Sequence, residues 1–432
     1  MNVRVKQGVI LTLYTLVLLL AAPFLLYGLY RKKPNKPQFG LRWKEHFGVT
    51  PKLETAERPI WIHAVSVGET LAAIPLIKAL KKQRPDTLIV VTTTTSTGAE
   101  QVKKLGDLVE HRYMPLDFGF AVRGFLKAIN PSQLLIIETE LWPNTLTTVH
   151  HAGIPIFVVN ARLSEKSRRN YAKIQPLFDI IAPCLTQVLC QSDSDANRFA
   201  ALGVAQNSLS VTGSIKFDID ISEEIRTQGK ALKAQLSQND ARPIWIAAST
   251  HRGEDEILLA AHNVVLEAHP TALLILVPRH PERFNDVYTL TMQQGFHCTR
   301  RTSGMLPTQE TQVYLADTMG EMLVLLGAAD VCFMGGSLLG DKVGGHNMLE
   351  PAALGVPIIT GPSYFNFADI TEALIKHNAI KICDAAEINT TVSRLLSNRA
   401  QQHSLILAAD TVVKHNRGSL QRTLNSILEV NK

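Results

Sequence analysis

The chain has 432 residues, 46% hydrophobic and 19% charged, with a formal net charge of +6. That length suits two domains, and that composition excludes a largely disordered chain. No run of Lys/Arg interleaved with aromatics occurs in the body, which argues against a nucleic-acid partner, and five cysteines (Cys184, Cys190, Cys298, Cys332, Cys383) without CxxC spacing point to a reducing compartment.

From Gln7 to Tyr30 there is no charged residue. A helix of that length spans a hydrocarbon core of ~30 Å. Arg4 and Lys6 precede it; Arg31, Lys32, Lys33, Lys36, Arg42 and Lys44 follow, which places the C-terminal side in the cytoplasm. A cleaved signal peptide is the competing reading. The run is long for that, and Pro23 to Tyr30 lacks a small-residue cleavage site, so an uncleaved anchor is expected. The basic collar suits anionic lipids, at ~1 kcal/mol per charge near the surface.

From Arg58 the pattern becomes strands alternating with helices. Ile60 to Val65 reads as a strand, Ser66-Val67-Gly68-Glu69 as a turn, and Thr70 to Lys82 as an amphipathic helix. Further strands are expected at Leu88–Thr92, Arg112–Met114, Leu134–Ile137, Ile154–Val159, Val188–Cys190 and Leu209–Val211. Strand–helix alternation at this spacing implies a parallel sheet covered on both faces. A polar stretch over 216–241 reads as a linker with a helix. The alternation then restarts at Ile244–Ala247 and continues through Leu273–Val277, Val313–Leu315, Val331–Met334, Val356–Ile359 and Ile380–Cys383. The expected organisation is an anchor and collar over 1–33, a first doubly wound domain over 34–215, a second over 242–410, and a C-terminal helix over 411–432 that could pack back on the first.

Ligands in such sheets bind at the carboxyl ends of strands, so the strand-to-helix loops carry the candidates. In the first half, Ser66-x-x-Glu69 reads first as a capping box and only second as a base at a helix start. Glu138 and Glu140 close a strong strand; two acids two residues apart point the same way, so one of them is expected to be structural. In the second half, Ser249-Thr250-His251-Arg252-Gly253-Glu254, Pro278-Arg279-His280, Asp317-Thr318-Met319 and Gly335-Gly336-Ser337 follow strands. Gly344-Gly345 leads into His346-Asn347-Met348-Leu349-Glu350-Pro351, read as the first turn of a helix. Hydroxyls, arginine and glycine N–H groups at several strand ends of one sheet suit phosphate, and Glu350 suits a ribose diol. The pairs Asp193/Asp195 and Asp218/Asp220 match a loose DxD metal spacing. Neither follows a recognisable strand at a cleft-facing end, and both are read as structural or solvated, as is His150-His151.

Taken together, His63-Ala64-Val65-Ser66-Val67-Gly68-Glu69, Glu138-Thr139-Glu140-Leu141-Trp142-Pro143-Asn144, Asn160-Ala161-Arg162-Leu163-Ser164, Gly213-Ser214-Ile215-Lys216-Phe217-Asp218 and Gly344 to Pro351 resemble the Kdo (3-deoxy-D-manno-octulosonic acid) transferases of lipopolysaccharide assembly. The likeness runs nearly the whole chain in order. It implies a GT-B fold of two Rossmann-like domains facing a cleft, CMP-Kdo as donor, and a lipid A precursor as acceptor at the cytoplasmic face of the inner membrane. It also implies inverting transfer with no metal or other cofactor. On this resemblance Glu69 matches the catalytic base and Glu140 a second acid on the acceptor side, with Ser66, Gly68 and Arg162 nearby. Arg279, Met319, Ser337, Asn347 and Glu350 fall in motifs like the family's nucleotide site, beside Ser249, His251, His280, Gly335 and Gly336. Ser214-Ile215 departs from an expected Asn-Leu. The alternatives are another membrane-associated glycosyltransferase or an epimerase using a uridine nucleotide, and a non-enzymatic, membrane-tethered nucleotide-binding protein.

Overall fold

The computed structural model describes residues 3–31, 37–55, 57–219, 221–237 and 242–429. Lys32, Lys33 and Lys36 of the expected collar lie outside the described residues, as does Asp220. Two compact units are present: residues 1–218 with 417–432, and residues 219–416.

The first unit is built on seven parallel strands in the order β3-β2-β1-β4-β5-β6-β7. In chain order these are β1 Ile60–His63, β2 Ile89–Thr93, β3 Glu110–Tyr113, β4 Gln133–Ile137, β5 Ile156–Ala161, β6 Gln187–Cys190 and β7 Leu209–Val211. The central strands are continuous apolar runs because helices cover both faces. Along β4, Leu134 and Ile136 enter one core with Trp61 and Phe178, whereas Leu135 and Ile137 enter the other with Ile62, Leu76 and Ile77. This is strand alternation with both sides buried. Each such side chain contributes about 1.5–3 kcal/mol. The second core is completed by Leu424 and Ile427 from the final helix, Ser419–Glu429. Asp218 holds that helix's start by accepting from Gly418 N–H at 2.7 Å and from Leu420 N–H.

Helix α1 (Val3–Tyr30) is long and apolar enough to cross a bilayer, and contains Pro23. A stripe including Leu11, Tyr14, Thr15, Leu18, Ala22 and Leu29 is partly covered, while Leu13, Leu16, Val17, Leu20 and Phe24 are exposed. Spacings of three and four residues make that stripe one helix face. The Tyr14 hydroxyl donates to Asp117 Oδ2 at 2.9 Å, and Asn144 Nδ2 donates to Thr15 Oγ1 at 3.0 Å.

The second unit has seven parallel strands in the order β10-β11-β9-β8-β12-β13-β14. These are β8 Ile244–Thr250, β9 Leu273–Pro278, β10 Cys298–Arg300, β11 Val313–Leu315, β12 Val331–Met334, β13 Ile358–Thr360 and β14 Ile380–Ile382. The stretch read as a linker contains a helix, Glu223–Ser237, that packs within this unit: a Cβ on Gly229 would lie 3.1 Å from the Gly327 Cα. Strand order reverses between β1 and β4 in the first unit and between β8 and β12 in the second. At such points the loops leave in opposite directions and open a crevice.

Candidate functional site

In the first unit the loops after β1 and β4 flank the reversal, and they carry the acids. Helix α2 (Val67–Gln83) starts one residue after Ser66, earlier than its apolar pattern indicates. Ser66 does not cap the α2 backbone. Its hydroxyl donates to Glu69 Oε1 at 3.1 Å, and Val65 N–H donates to Glu69 Oε2 at 2.6 Å. The expected reciprocal box is therefore half present, and its hydrogen bonds orient the carboxylate. Burial pushes the Glu69 carboxyl above the usual range, Val65 N–H pulls it back, and the charge of Glu138 raises it again. Gly68 is exposed beside it.

Glu138 and Glu140 do not behave as strand neighbours, because β4 ends at Ile137 and Glu138 sits at φ 65°. That is left-handed backbone, uncommon away from glycine. The turn sends the Glu138 side chain to Lys216 Nζ at 2.7 Å, an ion pair. Glu140 is half-buried; burial and then the charge of Glu69 raise its carboxyl to about 7. At the end of β5, Asn160 also has positive φ (56°), and its Oδ1 accepts from Ile215 N–H at 3.1 Å. The Ser214-Ile215 departure thus sits where the Ile215 N–H meets Asn160 and both side chains are buried. Arg162 is exposed; its carbonyl accepts from the Thr139 hydroxyl.

In the second unit the expected phosphate cradle needs correction. The N–H groups of Gly336, Ser337 and Leu338 donate to the Glu254 carboxylate at 2.7, 2.9 and 3.0 Å, and His251 N–H donates to it at 3.0 Å. The anion that satisfies this loop belongs to the protein. Ser337 is fully buried; its hydroxyl donates to Met334 O at 2.7 Å and accepts from Gly361 N–H at 2.8 Å. Ser337 therefore supports the site from within. The glycines serve close protein approach: a Cβ on Gly335 would lie 2.8 Å from Ser249 O, and one on Gly344 would lie 2.5 Å from the Phe365 ring. The helix expected from His346 begins at Leu349 and is six residues long, with Asn347 Oδ1 accepting from Leu349 N–H at 3.1 Å.

Beside this loop lies a cluster of histidine rings with the Arg279 guanidinium. The His251 and His346 rings stack at 9°, with Nε2 atoms 2.9 Å apart, and His280 meets His251 edge-on at 5.2 Å. Burial lowers His251 and His346 to about 4, and the charge of Arg279 acts in the same direction. Both are neutral at pH 7, so one ring donates and the other accepts. Glu350 is pushed up by burial and drawn down by Asn347 and Arg279. Ser249 adopts φ 58°, a strained conformation at the β8 end. Met319 is exposed.

The cluster thus gathers Arg279, His251, His280, Asn347 and Glu350, while Gly335, Gly336 and Ser337 frame it from below. The residues missed at the sequence level are Glu254 and His346. Both lay inside motifs singled out there, but their partners are 82 and 95 residues away. Among the described residues, no group of three or more His, Cys, Asp or Glu side chains could hold a metal ion.

Comparison with known proteins gives these relations. Residues 41–219 match the family model described as 3-Deoxy-D-manno-octulosonic-acid transferase (kdotransferase). A 3-deoxy-D-manno-octulosonic acid transferase from Haemophilus influenzae is 39% identical over 95% of this chain and 96% of its own length. The C-terminal CMP-Kdo binding domain of WaaA from Acinetobacter baumannii is 36% identical, covering 45% of this chain and 100% of that one, with a TM-score of 0.43. UDP-GlcNAc 2-epimerase from Neisseria meningitidis, 12% identical, covers 86% of this chain and 100% of its own at a TM-score of 0.53. That last likeness is one of fold.

Proposed function

This chain belongs to the 3-deoxy-D-manno-octulosonic acid transferase family, and from that premise we propose that it moves Kdo from CMP-Kdo to a lipid A precursor with inversion, Glu69 acting as general base. Kdo transfer in lipopolysaccharide synthesis follows from the family; donor, acceptor, stereochemistry and base are this reading's own. The observation that carries it is the Glu69 carboxylate, oriented by two donors at the strand-order reversal and raised above its usual range by burial.

Glu69 takes the proton of an acceptor sugar hydroxyl. The freed oxygen forms a bond to the Kdo anomeric carbon from the side opposite the phosphate. The bond from that carbon to the phosphate oxygen breaks, and CMP departs with the electron pair. Arg279 and the His251–His346–His280 cluster suit the leaving phosphate, and Glu350 with Asn347 suits the ribose. Glu140, near half-protonated at neutral pH, limits the negative charge beside Glu69. The apolar α1 fits a membrane anchor, and this reading places the enzyme on the cytoplasmic face of the inner membrane, where the acceptor lies.

The test is Glu69→Gln in the full chain, with CMP release and the mass of the lipid product as readouts. A positioned base contributes about 10²–10⁴-fold, and a loss of that size with unchanged CMP-Kdo binding is expected. Near wild-type turnover removes Glu69 from the role. Epimerisation of a uridine nucleotide sugar without CMP release from CMP-Kdo would favour the alternative enzyme.

A further inference from the structure

Beside Glu140 the first unit carries a largely apolar cavity of about 240 Å³ that the proton transfer does not use. Tyr14 of α1 forms one wall; Trp142, Tyr171, Ile174 and Leu177 form the others, with Phe178 among them. Glu140 is the one charged side chain in the lining. Trp142 is 40% exposed and Ile174 48% exposed, so the apolar lining reaches the surface.

The wall contributed by α1 is fastened. Asp117, 6% exposed, takes the Tyr14 hydroxyl together with the Asn144 N–H at 3.1 Å, the Thr145 N–H at 2.6 Å and the Thr145 hydroxyl at 2.7 Å. These bonds fix Tyr14 and spend its hydroxyl outside the cavity. A sugar or phosphate lodged there would find three polar side chains, Glu140, Tyr171 and Trp142, with the Trp142 N–H already turned on Glu140, among apolar walls, and an unpaired buried polar group is costly. A hydrocarbon chain needs no partner. Lipid is also what α1, as a membrane anchor, brings beside this wall: its outward side chains Leu13, Leu16 and Leu20 are apolar and exposed.

We propose that this cavity seats an acyl chain of the lipid acceptor, which presents the sugar head group at Glu140. The proposal rests on the reading above that the acceptor is an acylated lipid. It adds a chain-binding subsite in the first unit, shared between the anchor helix and the helix Gln175–Ile181 with its approach.

The experiment is direct binding to the full chain in detergent micelles without donor. The probes are a tetra-acylated lipid A precursor and the same molecule stripped of its chains. Leu177→Trp and Ile174→Trp fill the cavity. Each is expected to weaken binding of the acylated probe about tenfold or more while leaving the stripped probe's affinity unchanged, with the thermal unfolding midpoint preserved. Equal affinity of both variants and the wild type for the acylated probe overturns the proposal. Equal losses on both probes overturn it too, since the cavity would then matter only for shape. Because the readout is binding, failure here is separable from failure of Kdo transfer, which CMP release reports.

Discussion

Replacing Glu254 by glutamine keeps the side chain's length and removes its charge. The carboxylate takes four backbone N–H groups, from His251 at 3.0 Å, Gly336 at 2.7 Å, Ser337 at 2.9 Å and Leu338 at 3.0 Å. A carboxamide offers one oxygen to two of these donors and turns its own N–H groups on the other two. Two charge-assisted bonds are lost at about 1.5–3 kcal/mol each, so the loop after β12 loosens by about 3–6 kcal/mol. Domain stabilities are about 5–15 kcal/mol, which makes this a large local loss. Native-state hydrogen exchange at Gly336, Ser337 and Leu338 measures it amide by amide. The opening free energies of these three are expected to fall by that amount, while amides of β4 and β5 in the other unit keep theirs. CMP-Kdo binding weakens in parallel, since His251 is held by the same carboxylate. Wild-type protection at 336–338 in the variant would refute Glu254 as the anion that organises the loop.

Glu140 is raised from 4.5 to about 7, so between those values the folded chain holds a proton that the unfolded chain has released. Stability therefore falls as pH rises through that window. Glu140→Gln removes this slope, and unfolding midpoints measured from pH 5 to pH 8 should show the difference. His63 and His262 shift the other way. Each is buried with a folded value of about 4 against 6.5, so the stability each confers is complete above 6.5 and lost as pH falls toward 4. For His63 that amounts to about 3 kcal/mol. Urea titrations from pH 7 to pH 4 should show it, and His63→Gln should be flatter across the same range.

Strands were legible where burial on both faces left an unbroken apolar run. Leu134–Ile137, Leu273–Val277 and Val331–Met334 all fall within strands of the fold. Cys298–Arg300 went unread because an edge strand of three half-buried residues carries no such run. Ends were less legible than middles: β1 stops at His63, and the helix expected from His346 starts at Leu349. Chemistry divided along the same line. Acids and basic loops at strand ends could be named because their placement follows from local alternation. The partner of each could not. Lys216 reaches Glu138 across 78 residues, and Glu254 reaches Ser337 across 83. Pairings at that separation depend on which strands adjoin, and hydrophobic periodicity does not encode adjacency. In sequence Gly335 and Gly344 read as glycines for phosphate, but what approaches them, Ser249 O and the Phe365 ring, is set by the tertiary fold.

Tyr14 and Asp117 are 103 residues apart, and translation runs from the amino terminus. Helix α1 therefore leaves the ribosome well before the carboxylate that will grip it exists. Until Asp117 follows, the Tyr14 hydroxyl is without its eventual acceptor. Asp117 is itself gripped by Asn144 and Thr145, further along the chain, so the full cluster is complete later still. A chain whose Asp117 never captured that hydroxyl would be fully made, and still unfinished.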